Sequence, residues 1–131
     1  MADIGAIEQR GQGLIKQFEA LDAEQGQLNK QAEQLRAQLM ENQAVEGELK
    51  ILDEDAEVFK SMGPVLVKVD LPDAKAMVKQ RLDRLQSEID RLDKTFKEKE
   101  TAKNKLQQEI GKLQQEVAQI QQKQQQSGEE E

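Results

Sequence analysis

Between Val78 and Ile120 the chain repeats in steps of four and three without a slip. The series is Val78, Leu82, Leu85, Ile89, Leu92, Phe96, Lys99, Lys103, Leu106, Ile110, Leu113, Val117 and Ile120, and only the two lysines in it are charged. A sustained repeat of about 3.5 residues keeps one narrow stripe facing a partner helix, so the spacing predicts a coiled-coil helix. Asp90 and Asp93 stand four residues before Lys94 and Lys97, the acid-before-base order that supports a helix surface. A stripe this narrow cannot be buried alone, and the partner must come from elsewhere in the chain or from another chain.

The N-terminal arm supplies a rougher copy. One series runs Ile7, Leu14, Leu21, Leu28, Leu35, Asn42 and Leu49, and the second runs Ile4, Gly11, Phe18, Gln25, Ala32 and Leu39. Near residues 42 to 45 the pattern shifts by three, with Val45, Leu49 and Leu52 carrying it on. Such a stammer overwinds a coil locally. Gly5, Gly11, Gly13, Gly26 and Gly47 soften this arm, each costing about 1 kcal/mol against Ala in a helix interior. The expected helices span about 3–52 and 71–123, nearly equal in length. A short connection between equal arms predicts that they fold back on each other as an antiparallel coiled coil. Facing residue numbers then sum to 124 or to 131, and the repeat leaves both registers open. Either one places a polar zone around Gln25, Gly26, Lys99 and Lys103.

Between the arms the period drops to two. Val65, Val67 and Val69 alternate with Leu66 and Lys68, Val58-Phe59 precede them, and Gly63-Pro64 punctuates the middle. Two short β-branched runs about Gly-Pro predict a β-hairpin over about 57–69. Asp53-Glu54-Asp55 is unfavourable at a helix C-terminus, where the dipole prefers cations, so the first helix should stop near Leu52. Asp70 fits the N-cap of the second helix and Pro72 its first turn. The expected fold class is therefore mainly α, a long antiparallel two-helix coiled coil with a β-hairpin at its midpoint, over residues 1–124. Beyond Ile120 no apolar residue remains, and residues 125–131 are expected to be a disordered acidic tail.

Composition excludes most chemistry. The 131 residues contain no Cys and no His, so zinc and most transition-metal sites lose their usual ligands. A nucleophile would have to be Ser61, Ser87, Ser127, Thr95 or Thr101, and nothing places a base beside any of them. Asp53, Asp55 and Glu57 follow the odd positions of a calcium loop, but Val58 stands where the sharp turn needs Gly. No phosphate-binding Gly-rich loop occurs. No enzyme activity, metal or cofactor is expected. A net charge of −7 argues against nucleic acid. The longest aliphatic run is Val65-Leu66-Val67, which argues against a membrane span. The beginning shows no basic region followed by an apolar stretch, so the expectation is a soluble intracellular protein.

What remains is surface. A lone hairpin is marginal in water, and its edges leave N–H and C=O groups unpaired. Val58, Phe59, Met62, Gly63, Pro64, Val65, Leu66, Val67 and Val69 are therefore expected to join strands from other subunits. The competing reading is a hydrophobic cap folded onto its own coil. At the arm ends Ile4, Ile7, Leu14, Phe18, Leu113, Val117 and Ile120 lie on the seam, so simple packing explains most of their area. Gly11, Gly13 and Gly111 weaken the helices there, and a fraying tip is free to open its seam toward another polypeptide.

Helix, hairpin and helix with matched arms resemble the β-type subunits of prefoldin, nearest the subunit 6 branch of that family in eukaryotes. The most specific stretch is Val58-Phe59-Lys60 followed by Gly63-Pro64-Val65-Leu66-Val67-Lys68. The likeness reaches back through Glu41-Asn42 to Leu49 and forward through Lys79-Gln80-Arg81-Leu82; the outer arms match only as heptads. The resemblance implies a heterohexamer of two α-type and four β-type subunits, this chain joining three further β-type ones, with the hairpins building a barrel. It implies arm tips that hold unfolded clients such as actin and tubulin, and ATP-independent delivery to the group II chaperonin in the cytoplasm. The alternative is a structural coiled-coil tether or scaffold, which has no need of a hairpin at its midpoint.

Overall fold

The computed structural model describes residues 3–129. Four elements follow one another: α1 (Ile4–Lys50), β1 (Val58–Met62), β2 (Val65–Val69) and α2 (Leu71–Glu129). Asp3 caps α1, its Oδ1 accepting from the Gly5 N–H at 3.1 Å while its carbonyl accepts from Ile7. The helix ends two residues earlier than the acidic run alone suggests, in a tight turn where the Leu52 N–H reaches the Leu49 carbonyl. The Asp70 carbonyl accepts the Ala74 N–H at 2.9 Å, so Asp70 opens α2 as its sequence position predicts.

The hairpin is antiparallel, with Val58 opposite Val69 and Met62 opposite Val65. Its two-residue loop is Gly63-Pro64. Gly63 has a φ of +60°, which glycine adopts without strain, and the ring of Pro64 fixes a negative φ at the next position. That sign pattern belongs to the II′ turn, whose twist suits a two-residue hairpin.

The chain packs as two units, Met1–Leu28 with Thr95–Glu131 and Asn29–Lys94. In the first, α1 and α2 run antiparallel: a Cβ at Gly11 would sit 4.0 Å from Leu113 Cδ1, and Gln25 bonds Glu100. In the second, Arg36 pairs with Asp93 and Asn42 accepts from Arg81, again antiparallel. Glu46 and Leu49 share a cleft with Lys75 and Val78. Contacts in both units cluster about a facing sum of 124, which settles the register that the repeat leaves open.

Every seam position named from the α2 repeat is buried or half-buried, as is every one from Ile4 to Leu49 on α1. The expected stammer is absent. Asn42, Glu46 and Leu49 face inward in the original step, whereas Val45 and Leu52 are exposed. Val45 owes its apolar character to a cleft shared with Val58 and Phe59 rather than to the seam. Helix α2 also continues to Glu129, past the expected end near 123. Gln and Lys are good helix formers, and extending an existing helix avoids the cost of nucleation, so residues 124–129 stay helical although the side chains of 124–128 are exposed. Met1, Ala2, Glu130 and Glu131 lie outside the described residues, and with them the end of the expected tail.

Candidate functional site

In the second unit the hairpin does not cap its own helices. Val58 and Val69 are half-buried at its base, while Phe59, Met62, Val65, Leu66 and Val67 are exposed, Leu66 at 67%. Strand alternation puts Met62, Val65 and Val67 on one face with Lys60, and Phe59 and Leu66 on the other with Ser61 and Lys68. Apolar groups therefore meet solvent on both faces. With two strands only, both edges also carry open hydrogen-bonding groups. Lys68 and Glu57, 3.6 Å apart and largely exposed, add a surface ion pair of little energetic weight.

In the first unit an open cavity of about 360 Å³ lies between α1 and α2. Ile7, Gly11 and Ile15 line it from α1, and Ile110, Leu113 and Val117 from α2. Gln12, Gln114 and Gln121 rim it with neutral amides, and Glu8 adds one carboxylate. Of the expected tip residues, Ile7, Leu113 and Val117 come together here. Ile4, Leu14, Phe18 and Ile120 are half-buried along the seam instead. Ile15 is the residue that heptad reading passes over. It lies one step off the seam, 45% exposed, and an aliphatic side chain beside rather than on the stripe is the sign that finds it.

The expected polar zone is a bonded layer. Gln25, 4% exposed, donates through Nε2 to the Phe96 carbonyl at 3.2 Å and to Glu100 at 2.8 Å. Its Oε1 accepts from Lys103 Nζ at 2.8 Å. Lys103, 13% exposed, also reaches Asp22 at 2.8 Å and stands 5.0 Å from the centre of the Phe18 ring. Lys99 pairs with Glu24 at 2.6 Å. Among the described residues no buried side-chain polar atom lacks a partner.

The sequence pattern of the family described as Prefoldin subunit matches residues 12–117. The chain belongs to the prefoldin subunit family. Prefoldin subunit 6 of Mus musculus is 37% identical over 94 residues, 72% of this chain and 74% of that protein. Prefoldin subunit 6 of Arabidopsis thaliana is 46% identical over 67 residues, 51% of this chain and 52% of its own length. The Saccharomyces cerevisiae protein of the same name is 32% identical over 106 residues, covering 81% and 84%. In fold the chain is similar to the prefoldin beta subunit from Thermococcus strain KS-1, with a TM-score of 0.74 and 23% identity over 77% of this chain and 89% of that one. The mainly helical class, with two long helices joined by an antiparallel hairpin, is thus the prefoldin β fold.

Prefoldin subunits are chaperone components. Among the described residues no cluster of three or more His, Cys, Asp or Glu is placed to hold a metal. No helix among them is long and apolar enough to cross a membrane. The polar layer makes a measurable prediction about stability. Gln25→Ala should lower stability by about 1–3 kcal/mol, because it strips partners from Lys103 and Glu100 in a half-buried layer. Thermal unfolding followed by circular dichroism measures the loss. With Lys103→Met added, the double variant should lose less than the sum of the two singles. Strict additivity would show that the groups do not act as one layer.

Proposed function

We propose that the chain is a β-type subunit of a heterohexameric prefoldin, assembled with two α-type and three further β-type subunits. In this reading the complex works in the cytoplasm as a co-chaperone. It captures nonnative polypeptides of the actin and tubulin class with its arm ends and passes them to the group II chaperonin without ATP. The observation that carries the reading is the hairpin with its apolar faces open to solvent, set between two helices whose seams are already satisfied. The arms leave that hairpin uncovered, and strands from other subunits cover it. The 360 Å³ cavity, apolar with a rim of glutamine amides and the one carboxylate of Glu8, suits an extended segment whose apolar side chains enter while its backbone amides meet glutamine. A tether that merely links two partners has no use for an exposed hairpin at its midpoint.

The test is reconstitution. Mixed with the other five prefoldin subunits, the chain is expected to enter a complex containing one copy of itself, read by native mass spectrometry. That complex should slow the aggregation of denatured actin. Failure to enter, under conditions where the other subunits associate, overturns the reading.

A further inference from the structure

In the first unit the hydrogen bonds that cross from α1 to α2 gather in one short zone. Gln25 donates to the Phe96 carbonyl and to Glu100, and accepts from Lys103. Lys103 also donates to Asp22, and Lys99 to Glu24. These partners lie within 22–25 on α1 and 96–103 on α2. Toward the chain ends the pattern changes. Among the described residues, 4–21 and 104–129 share no hydrogen bond or ion pair with each other.

The outer seam is held by apolar contact, and loosely. Of its described side chains only Ile7 and Leu113 are buried, while Leu14, Phe18, Ile110 and Val117 are half-buried. Gly11 takes a seam position, where a Cβ would come no nearer than 4.0 Å to Leu113, and the 360 Å³ cavity opens beside it. Such contacts give way in small steps, since a half-buried apolar side chain contributes only part of its burial energy. Passing the Gln25 layer is different. Gln25 holds Glu100 and Lys103 at once, and Lys103 holds Asp22, so several bonds to charged groups must break together.

We propose that the Gln25 layer is a latch that ends the opening of this arm. The seam outside it, from Ile4 to Phe18 and from Leu106 to Ile120, parts as a separate step, while the seam at the layer and beyond stays shut. The latch fixes how much of the arm opens around the cavity. Its use in gripping a client rests on the function proposed above. Its test needs neither client nor partner subunit, so the latch can fail while that reading stands.

The chain has no cysteine, so a single introduced thiol reports one position. Leu14→Cys lies outside the layer and Leu28→Cys on its other side. Both leucines are half-buried seam residues, so closed-state exposure does not separate them. The rate at which each full-length chain reacts with a thiol reagent, relative to the same chain in denaturant, reads the opening of the seam. Residue 14 is expected to react at least about tenfold faster than residue 28. Gln25→Ala, added to each, should speed residue 28 by about tenfold and leave residue 14 unchanged, because only opening past the layer breaks the deleted bonds. Gln25→Glu keeps the size of the side chain, sets a carboxylate against Glu100, and should act the same way. Equal rates at residues 14 and 28 in the parent chain overturn the latch. Equal acceleration of both positions, in variants that remain helical by circular dichroism, overturns it as well, since it marks a coil that opens as a whole. So does an unchanged rate at residue 28. Loss of helicity in both Gln25 variants also overturns it, because a local latch does not hold the whole fold.

Discussion

Val65→Asp combined with Val67→Asp should remove the chain from the prefoldin complex while leaving its helices intact. The two side chains share a face of β2, and both are exposed in the free chain, so the new carboxylates remain in water and cost little in folding. Lys60 stands opposite Val67 and gives one of them a cross-strand partner, which preserves the hairpin. Once another strand covers that face, the same two charges must be desolvated. An uncompensated buried charge costs about 3–5 kcal/mol, and the carboxylate at position 65, which has no such partner, by itself exceeds what a marginal strand pairing supplies. The expected result is a helical circular dichroism spectrum close to that of the parent chain, with less than about one hundredth of its yield in the complex by native mass spectrometry. An unchanged yield would mean that the hairpin takes no part in assembly.

Much of this architecture is legible in the sequence because a 3.5-residue repeat has one physical meaning. All thirteen positions from Val78 to Ile120 are at least half-buried, including the two lysines. The hairpin is equally plain, since Gly63-Pro64 between β-branched runs leaves few alternatives. The register was open because a heptad looks the same after every shift of seven. Chemistry breaks the tie: a sum of 131 would set Gln25 against Leu106 and Lys103 against Leu28, whereas 124 brings Gln25 to Lys99 beside Glu100 and Lys103. Burying a cation against leucine is far costlier than completing a polar layer. The absent stammer has a related cause. Val45 is apolar for the sake of the hairpin cleft, and a rule that assigns every aliphatic residue to the seam misplaces it. The same rule overlooks Met40, which lies 69% exposed off the seam of α1. Helical residues 124–129 show the opposite limit, where a lack of apolar groups says nothing against a helix already under way.

Cutting residues 1–20 and 112–131 from this chain should cost the assembled complex a grip on its client without costing it a subunit. The cut removes Ile7, Gly11 and Ile15 from one wall of the arm-end cavity and Leu113 and Val117 from the other. It spares Asp22, Gln25, Glu100 and Lys103, so the polar layer still holds the remaining helices in register. It spares the hairpin as well. Several arms holding one unfolded chain gain affinity through high local concentration, so losing one grip weakens the whole by more than that grip is worth alone. The dissociation constant of the complex for denatured protein should rise at least about tenfold, while its mass falls only by the residues removed. Removing residues 122–129 alone, which lie beyond the residues lining the cavity, should leave the affinity where it was. Equal affinity for the doubly truncated complex would show that this arm end does not hold client, and that its apolar residues serve only to close the coil.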